Sequence, residues 1–254
     1  SVQGRKLTEL SELCEAVSKL SVIDTTTIVS DIAIICSPEC DMALNILPQS
    51  ENYSYFGQLK SFHAAFTHYG ANVDIVSPTD DLKNYKVVVA PSLFIRNKRT
   101  SENIFRYVLN GGTLIMTNRS GVRDEYNNCL TDIIPNEYRE LIGADITECD
   151  ALGRRKNVIT DFSGNTFECG QWCDIMKLTT AKAYAEYKND FYASTPAVTL
   201  NRYCGGIAYY VGTVCEQAFY DSFAGYEETI TGIGELVDNY EEINGIKQFQ
   251  IPLQ

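Results

Sequence analysis

Apolar positions along the chain fall into two rhythms. From Arg5 to Leu20, Leu7, Leu10, Leu13, Cys14, Val17 and Leu20 recur at three- and four-residue steps, the spacing of one helical face. The stretch Tyr53 to Tyr69 repeats that spacing with Phe56, Leu59, Phe62, Ala65, Phe66 and Tyr69, and Gly70 stands where a left-handed C-terminal residue is expected. Between and after these segments come strand-like stretches: Ile32 to Cys36, Val73 to Val76, the continuous β-branched run Val87 to Ala90 closed by Pro91, and Leu114 to Thr117. Continuous runs mark strands covered on both faces, hence a parallel sheet lying between helices. A third helix is predicted from a Ser101 cap to Asn110, stopped by Gly111-Gly112. The alternation of strands and helices describes a doubly wound α/β domain.

The rhythm loosens after Asn118. A polar loop, Arg119 to Asn128, leads to a short helix near Glu137 to Leu141 that ends at Gly143. Strand candidates follow at Val158 to Phe162, Thr166 to Glu168, Ala183 to Tyr187, Ala197 to Leu200 and Ile207 to Val211, spaced as hairpins added to the sheet or beside it. Gly205-Gly206 reads as a hairpin turn. In the tail, Ile230, Ile233, Leu236, Val237 and Tyr240 keep helical spacing, and Ile246 to Ile251 reads as a strand left without a partner, as if the natural sequence continued.

Composition narrows the function classes. Among 254 residues, 44% are hydrophobic and 21% charged, an ordinary globular balance. The net charge of -12 repels phosphate backbones and anionic headgroups, which argues against nucleic acid and membrane partners. No apolar run approaches the roughly 20 residues of a membrane span, and the N-terminus lacks the order of a signal peptide. Nine scattered cysteines argue against a disulfide framework and for a reducing, cytoplasmic setting.

Candidate chemistry is sparse. Cys36 with Cys40 and Cys169 with Cys173 have spacings that could each supply half a zinc site, but their apolar surroundings fit small buried thiols better, and no structural metal is expected. His63 and His68 lie about 140° apart around one helix and do not share a face. At the carboxyl ends of the strands, where such sheets place ligands and nucleophiles, stand Pro91-Ser92-Leu93-Phe94 and Asn118-Arg119-Ser120-Gly121, neither framed by a nucleophile elbow. Ser120 would need a base that the sequence does not place beside it. The loop Arg119 to Asn127 leaves a central strand and is expected to be ordered and to serve the whole protein. Asp124 and Glu125 are the ion-pair partners at hand for Arg119 and Arg123, so a self-satisfied loop is the plainer reading.

The run Thr117-Asn118-Arg119-Ser120-Gly121-Val122-Arg123-Asp124-Glu125-Tyr126-Asn127 resembles a signature of the middle domain of family 42 glycoside hydrolases, the bacterial β-galactosidases. Other segments keep that family's order: Asp81 to Lys86 leading to Val89-Ala90-Pro91, Gly111 to Leu114, Glu140 to Gly143, Glu148 to Leu152, Trp172-Cys173-Asp174, Tyr192 to Thr199, Asn201-Arg202-Tyr203 and Ala208 to Thr213. Met42 departs from the family's tryptophan, and Cys204 interrupts its glycine turn.

The resemblance spans residues 5 to 220. It implies a flavodoxin-like, class I glutamine amidotransferase-like sheet with added β-hairpins, acting as a noncatalytic trimerisation domain over residues 1–220, with 221–254 leading toward a C-terminal β domain. It implies a parent enzyme that hydrolyses terminal β-D-galactosides with retention, using two carboxylates of a catalytic barrel roughly 5 to 5.5 Å apart. The partners implied are two further copies of the chain, the barrel and the C-terminal domain. No cofactor and no catalytic residue is expected in this chain. The family-signature residues are Arg119, Ser120, Gly121, Arg123, Asp124 and Asn127. The rival readings are a freestanding amidotransferase-like enzyme, disfavoured by the missing cysteine, and a sugar-binding module using exposed members of the 16 tyrosines.

Overall fold

A computed structural model of the chain describes residues 4–19, 28–130, 134–225, 240–243 and 246–249. Helices α1 (Arg5–Ser18), α2 (Pro38–Ile46), α3 (Tyr55–His68), α4 (Lys98–Leu109), α5 (Tyr138–Ile142) and α6 (Gln217–Ala224) accompany the strands of one mixed sheet. Its parallel half comprises β1 (Ile32–Ile35), β2 (Val73–Val76), β3 (Val87–Ala90) and β4 (Thr113–Thr117). The antiparallel half holds β5 (Ala144–Asp161), β6 (Thr166–Leu178), β7 (Lys182–Tyr187), β8 (Pro196–Tyr203), β9 (Gly206–Val211) and β10 (Thr213–Cys215). The ten strands are ordered β10-β6-β5-β7-β8-β9-β4-β3-β1-β2. Strand β9 joins the halves: it pairs parallel with β4, Met116 opposite Tyr210, and antiparallel with β8.

The continuous apolar runs behave as their pattern requires. Every residue of β1, β3 and β4 is buried, since helices cover both faces. The hairpins expected after residue 143 are part of the main sheet. They are longer than the sequence pattern predicts because β5 shifts register against β6 between Ile146 and Glu148, Asp150 and Gly153, and Gly153 and Lys156. Each bulge breaks the two-residue alternation by which a strand is recognised.

Several boundaries move. Helix α4 begins at Lys98 with the Asn97 side chain accepting from the Arg99 backbone N–H at 3.0 Å, so Ser101 lies within the helix instead of capping it. Ser101 instead shares a 2.9 Å hydrogen bond with the Tyr138 hydroxyl. Helix α2 has no counterpart in the apolar periodicity, although Ser37 as cap and Pro38 in the first turn are a recognisable start signal. Phe56, expected on the buried face of α3, is 43% exposed. The terminal strand does find a partner: β11 (Tyr240–Ile243) pairs antiparallel with β12 (Ile246–Phe249). Tyr240 is therefore in a strand, and the helix expected before it lies outside the described residues.

Helix α6 packs onto α3 through aromatic rings, with Phe62 of α3 and Tyr220 of α6 edge to face at 4.8 Å between centroids, and within α6 Phe219 stacks on Phe223 at 5.6 Å. Helix α1 contrasts with this. It buries none of its residues among those described, so its stripe of Leu7, Leu10, Leu13 and Val17 faces outward.

Candidate functional site

The carboxyl ends of β3 and β4 are closed by side chains. The chain leaves β3 through Ser92, whose φ of 37° turns it sharply, and leaves β4 through Arg119, with φ of 62°. The Ser92 hydroxyl lies 2.7 Å from the Tyr53 hydroxyl and accepts from Gln58 Nε2 at 2.8 Å. Thr117 Oγ1 donates to Gln58 Oε1 at 2.8 Å and accepts from the Ser92 backbone N–H at 2.8 Å. Asn118 Oδ1 accepts from Tyr53. All five side chains are buried.

Chemically this is a plug. A nucleophilic Ser92 would need a base, and its neighbours are an amide, a phenol and a threonine. Burial pushes the Tyr53 phenol well above its ordinary range, keeping it neutral. His63 and His68 both lie on α3, as expected. Ser120, the other candidate hydroxyl, is fully buried and occupied: it donates to the Thr117 carbonyl at 2.7 Å and accepts from the Leu93 N–H at 3.0 Å. Its role is to tie the two strand-end turns together.

The signature loop hangs from this plug. Arg119 is 2% exposed, its guanidinium enclosed by the rings of Trp172, Tyr53 and Phe94 at 4.5, 4.9 and 5.1 Å. It donates to the Pro48 carbonyl at 2.6 Å, to Gln49 Oε1 at 3.0 Å and to the Leu47 carbonyl at 3.4 Å. The ion pairs expected with Asp124 and Glu125 are not formed by Arg119 or Arg123. A buried guanidinium here exchanges water for aromatic faces and carbonyl oxygens, while Asp124 stays at the loop surface.

Arg123 donates to Cys129 Sγ at 2.7 Å and bridges Ile95 and Cys129 through its backbone. Asp124 accepts from the backbone N–H groups of Tyr126 and Asn128 at 2.9 and 2.8 Å, which hold its carboxyl below the usual range. Gly121 and Asn127 take the left-handed conformations, with φ of 66° and 62°. A Cβ on Gly121 would lie 2.6 Å from the Pro135 carbonyl oxygen, so glycine is required both for its φ and for the close approach.

Sequence reasoning missed Asp174 as the centre to which separate motifs converge. It is buried and accepts from Tyr210 Oη at 2.7 Å, Trp172 Nε1 at 2.8 Å, Cys149 Sγ at 3.4 Å and the Arg119 backbone N–H at 3.4 Å. Burial raises its pKa against the opposing pull of these donors. Residues of four resembling segments thus meet in one polar seam between the sheet halves. Gln58 was also missed, although a polar residue four before Phe62 on the buried face of α3 is a signal that could have found it. Asp174 carried no such signal, because two of its donors, the Arg119 N–H just after β4 and Tyr210 of β9, are far away in sequence.

The cysteine pairs separate in their surroundings. Cys40 accepts from the Ile95 N–H at 3.4 Å, while Cys36 sits half-buried after β1. Cys169 and Cys173 lie along β6 opposite Cys215 and Thr213 of β10. Among the described residues, no group of three or more histidines, cysteines or carboxylates could hold a metal ion, and no helix is long and apolar enough to cross a membrane.

The sequence model of one protein family, described as the β-galactosidase trimerisation domain, matches residues 30–230. The chain is 40% identical over 221 residues to the β-galactosidase BgaA of Clostridium cellulovorans, covering 87% of this chain and 34% of that protein. It is 33% identical over 207 residues to the β-galactosidase BgaB of a Geobacillus species, covering 81% and 31%. Among solved structures, the β-galactosidase of Bacillus circulans sp. alkalophilus superposes with a TM-score of 0.85 at 26% identity, over 97% of this chain and 37% of that one. A catalytic mutant of Gan42B, a GH42 β-galactosidase from G. stearothermophilus, gives 0.81 at 30% identity, over 92% and 34%. The chain spans about a third of the length of the curated relatives it matches.

Proposed function

The chain belongs to the β-galactosidase trimerisation domain family of glycoside hydrolase family 42, and on that premise we propose that it serves, without chemistry of its own, to assemble a homotrimeric bacterial enzyme. The parent would hydrolyse terminal β-D-galactosides with retention, as part of carbohydrate metabolism in the cytoplasm. Its two catalytic carboxylates belong to a barrel in the same polypeptide, and a small β domain follows. The observation that carries this reading is the plug: the strand ends where an α/β enzyme places its reacting groups are filled by Tyr53, Gln58, Ser92, Thr117 and Asn118, all buried and mutually hydrogen-bonded.

The parallel strands are ordered β2-β1-β3-β4-β9. That order supports a flavodoxin-like, amidotransferase-like ancestry in which β5 to β8 form an insertion before the last parallel strand. The domain boundary expected at residue 220 falls within α6, whose Phe223 and Ala224 still pack in the core. We place the start of the connection to the next domain after that helix. The signature residues Arg119, Ser120, Gly121, Arg123, Asp124 and Asn127 act in this reading as the scaffold of the plug.

A chromogenic galactoside tests the division of labour. Purified chain is expected to show no turnover, whereas turnover abolished by replacing an acidic residue within the chain would overturn the proposal.

A further inference from the structure

Helix α2 turns two different faces to its surroundings. Cys40, Ala43 and Leu44 are buried against the sheet, while Met42 is 58% and Ile46 74% exposed, one turn apart on the opposite side. Pro38 and Glu39, one turn before Met42 on that outer side, line a cleft of about 670 Å³. Its apolar wall is formed by Ile75, Val76, Pro78, Leu93 and Ile95, and Arg99 stands at its margin. Ile75 is half exposed and lies on β2, the edge strand of the sheet, whose outer side pairs with no strand among the described residues. The cleft thus adjoins the first turn of α2 through Pro38 and Glu39, with the exposed Met42 and Ile46 farther along the same outer side of the helix, and Ser37, Ser77, Thr79, Asn97 and Thr100 add polar groups to its lining.

This surface is held rigidly in place. Arg119 grips the segment that follows α2 through the carbonyls of Leu47 and Pro48 and the side chain of Gln49. The most enclosed cation of the signature thus fixes the C-terminal end of a helix whose outer face packs against nothing described. Stable interfaces favour such preorganised apolar surfaces, because little conformational entropy remains to be lost on docking.

We propose that the outer face of α2 with its adjoining cleft is the surface on which a second copy of this chain docks, and that Arg119 is the positioning residue that presents it. The inference rests on the trimerisation reading and specifies its contact. A closed threefold ring joins two different patches, so one of them can be concave, as this one is. Charge favours the same occupant. A chain of net charge -12 repels its copies over most of its surface, whereas here apolar side chains meet the neighbour beside Arg99, which forms no ion pair among the described residues.

Sedimentation equilibrium of the full 254-residue chain decides it. The test pair is Met42→Glu with Ile46→Glu, with Met42→Ser and Ile46→Ser as a milder pair should the first lower the urea midpoint. Leu10→Glu with Leu13→Glu on α1 is the control. The expected result is a trimer for the unaltered chain and the α1 control, and trimer dissociation at least about tenfold easier for either α2 pair with an unchanged urea midpoint. A trimer undisturbed by both α2 pairs would overturn this surface while leaving the trimerisation reading intact. An unaltered chain that stays monomeric at every concentration would overturn both.

Discussion

In the parallel half, β1, β3 and β4 are buried at every position, whereas β5 in the antiparallel half exposes Thr147, Glu148, Cys149 and Ala151 and then Arg154 to Lys156. One half buries itself under helices; the other leaves a face to solvent or to a neighbour. What holds two such different halves in register is the polar seam, in which Arg119 leaves β4, Asp174 arises from β6 and Tyr210 from β9. The contrast teaches that Arg119 of the signature run takes part in a joint between the sheet halves, through its backbone contact with Asp174 and the rings of Tyr53 and Trp172 around its guanidinium.

The comparison breaks most visibly if its joint is cut. Arg119→Ala removes a guanidinium that fills a cage of three rings and satisfies the Leu47 and Pro48 carbonyls. A loss of about 3–5 kcal/mol in urea unfolding is expected, from the emptied volume and the stranded acceptors together. Arg119→Lys should recover only part of it, since an ammonium lacks the planar fork. A loss under about 1 kcal/mol would mean that the halves are joined elsewhere.

Asp174→Asn comes next, with a loss of about 2–3 kcal/mol, because four donors then face an amide that can accept from only one side. Its pH dependence sharpens the assignment. Burial raises the folded-state pKa of Asp174 above its unfolded value, so the stabilising contribution is present in full at acid pH and lost as pH rises through the folded value. The stability difference between the parent and the asparagine variant should therefore narrow from acid to neutral pH. A difference that widens over that range would contradict a raised pKa.

A smaller effect, about 2 kcal/mol, is expected for Gly121→Ala, which combines a φ of 66° with a Cβ 2.6 Å from the Pro135 carbonyl oxygen. Differential scanning calorimetry would show it as a lowered melting temperature. Asp124→Ala should act least. It frees the loop from its own hydrogen bonds at the surface, so faster proteolysis near Tyr126 with an unchanged unfolding midpoint is the expected pair of results.

How much of this could be read from the chain follows the same division. Where strands are covered on both faces, burial writes itself into the sequence as apolar runs, and the strands of the parallel half were legible to within a residue, whereas α2 was missed and α4 began three residues before its expected cap. In β5 three register shifts destroy the alternation, and the exposed face admits Glu148, Arg154 and Arg155 without penalty, so only its last few residues, from Val158, were legible. The segment from Arg119 does leave the end of β4 as a loop, yet its charges were paired with the wrong groups. Proximity in sequence favours Asp124 and Glu125, whereas the fold carries Arg119 to the Pro48 carbonyl and the rings of Tyr53 and Trp172. Long-range convergence of this kind leaves no local pattern.

The central claim, that this chain is an assembling domain, is tested most directly by sedimentation equilibrium of the unaltered protein at low and high salt. Three copies of a chain with net charge -12 repel one another across any interface, and salt shortens the reach of that repulsion to within about 10 Å at 0.1 M. The account predicts a trimer that strengthens with protein concentration and with ionic strength. A stable dimer under every condition, with no trimer at high concentration, would contradict it.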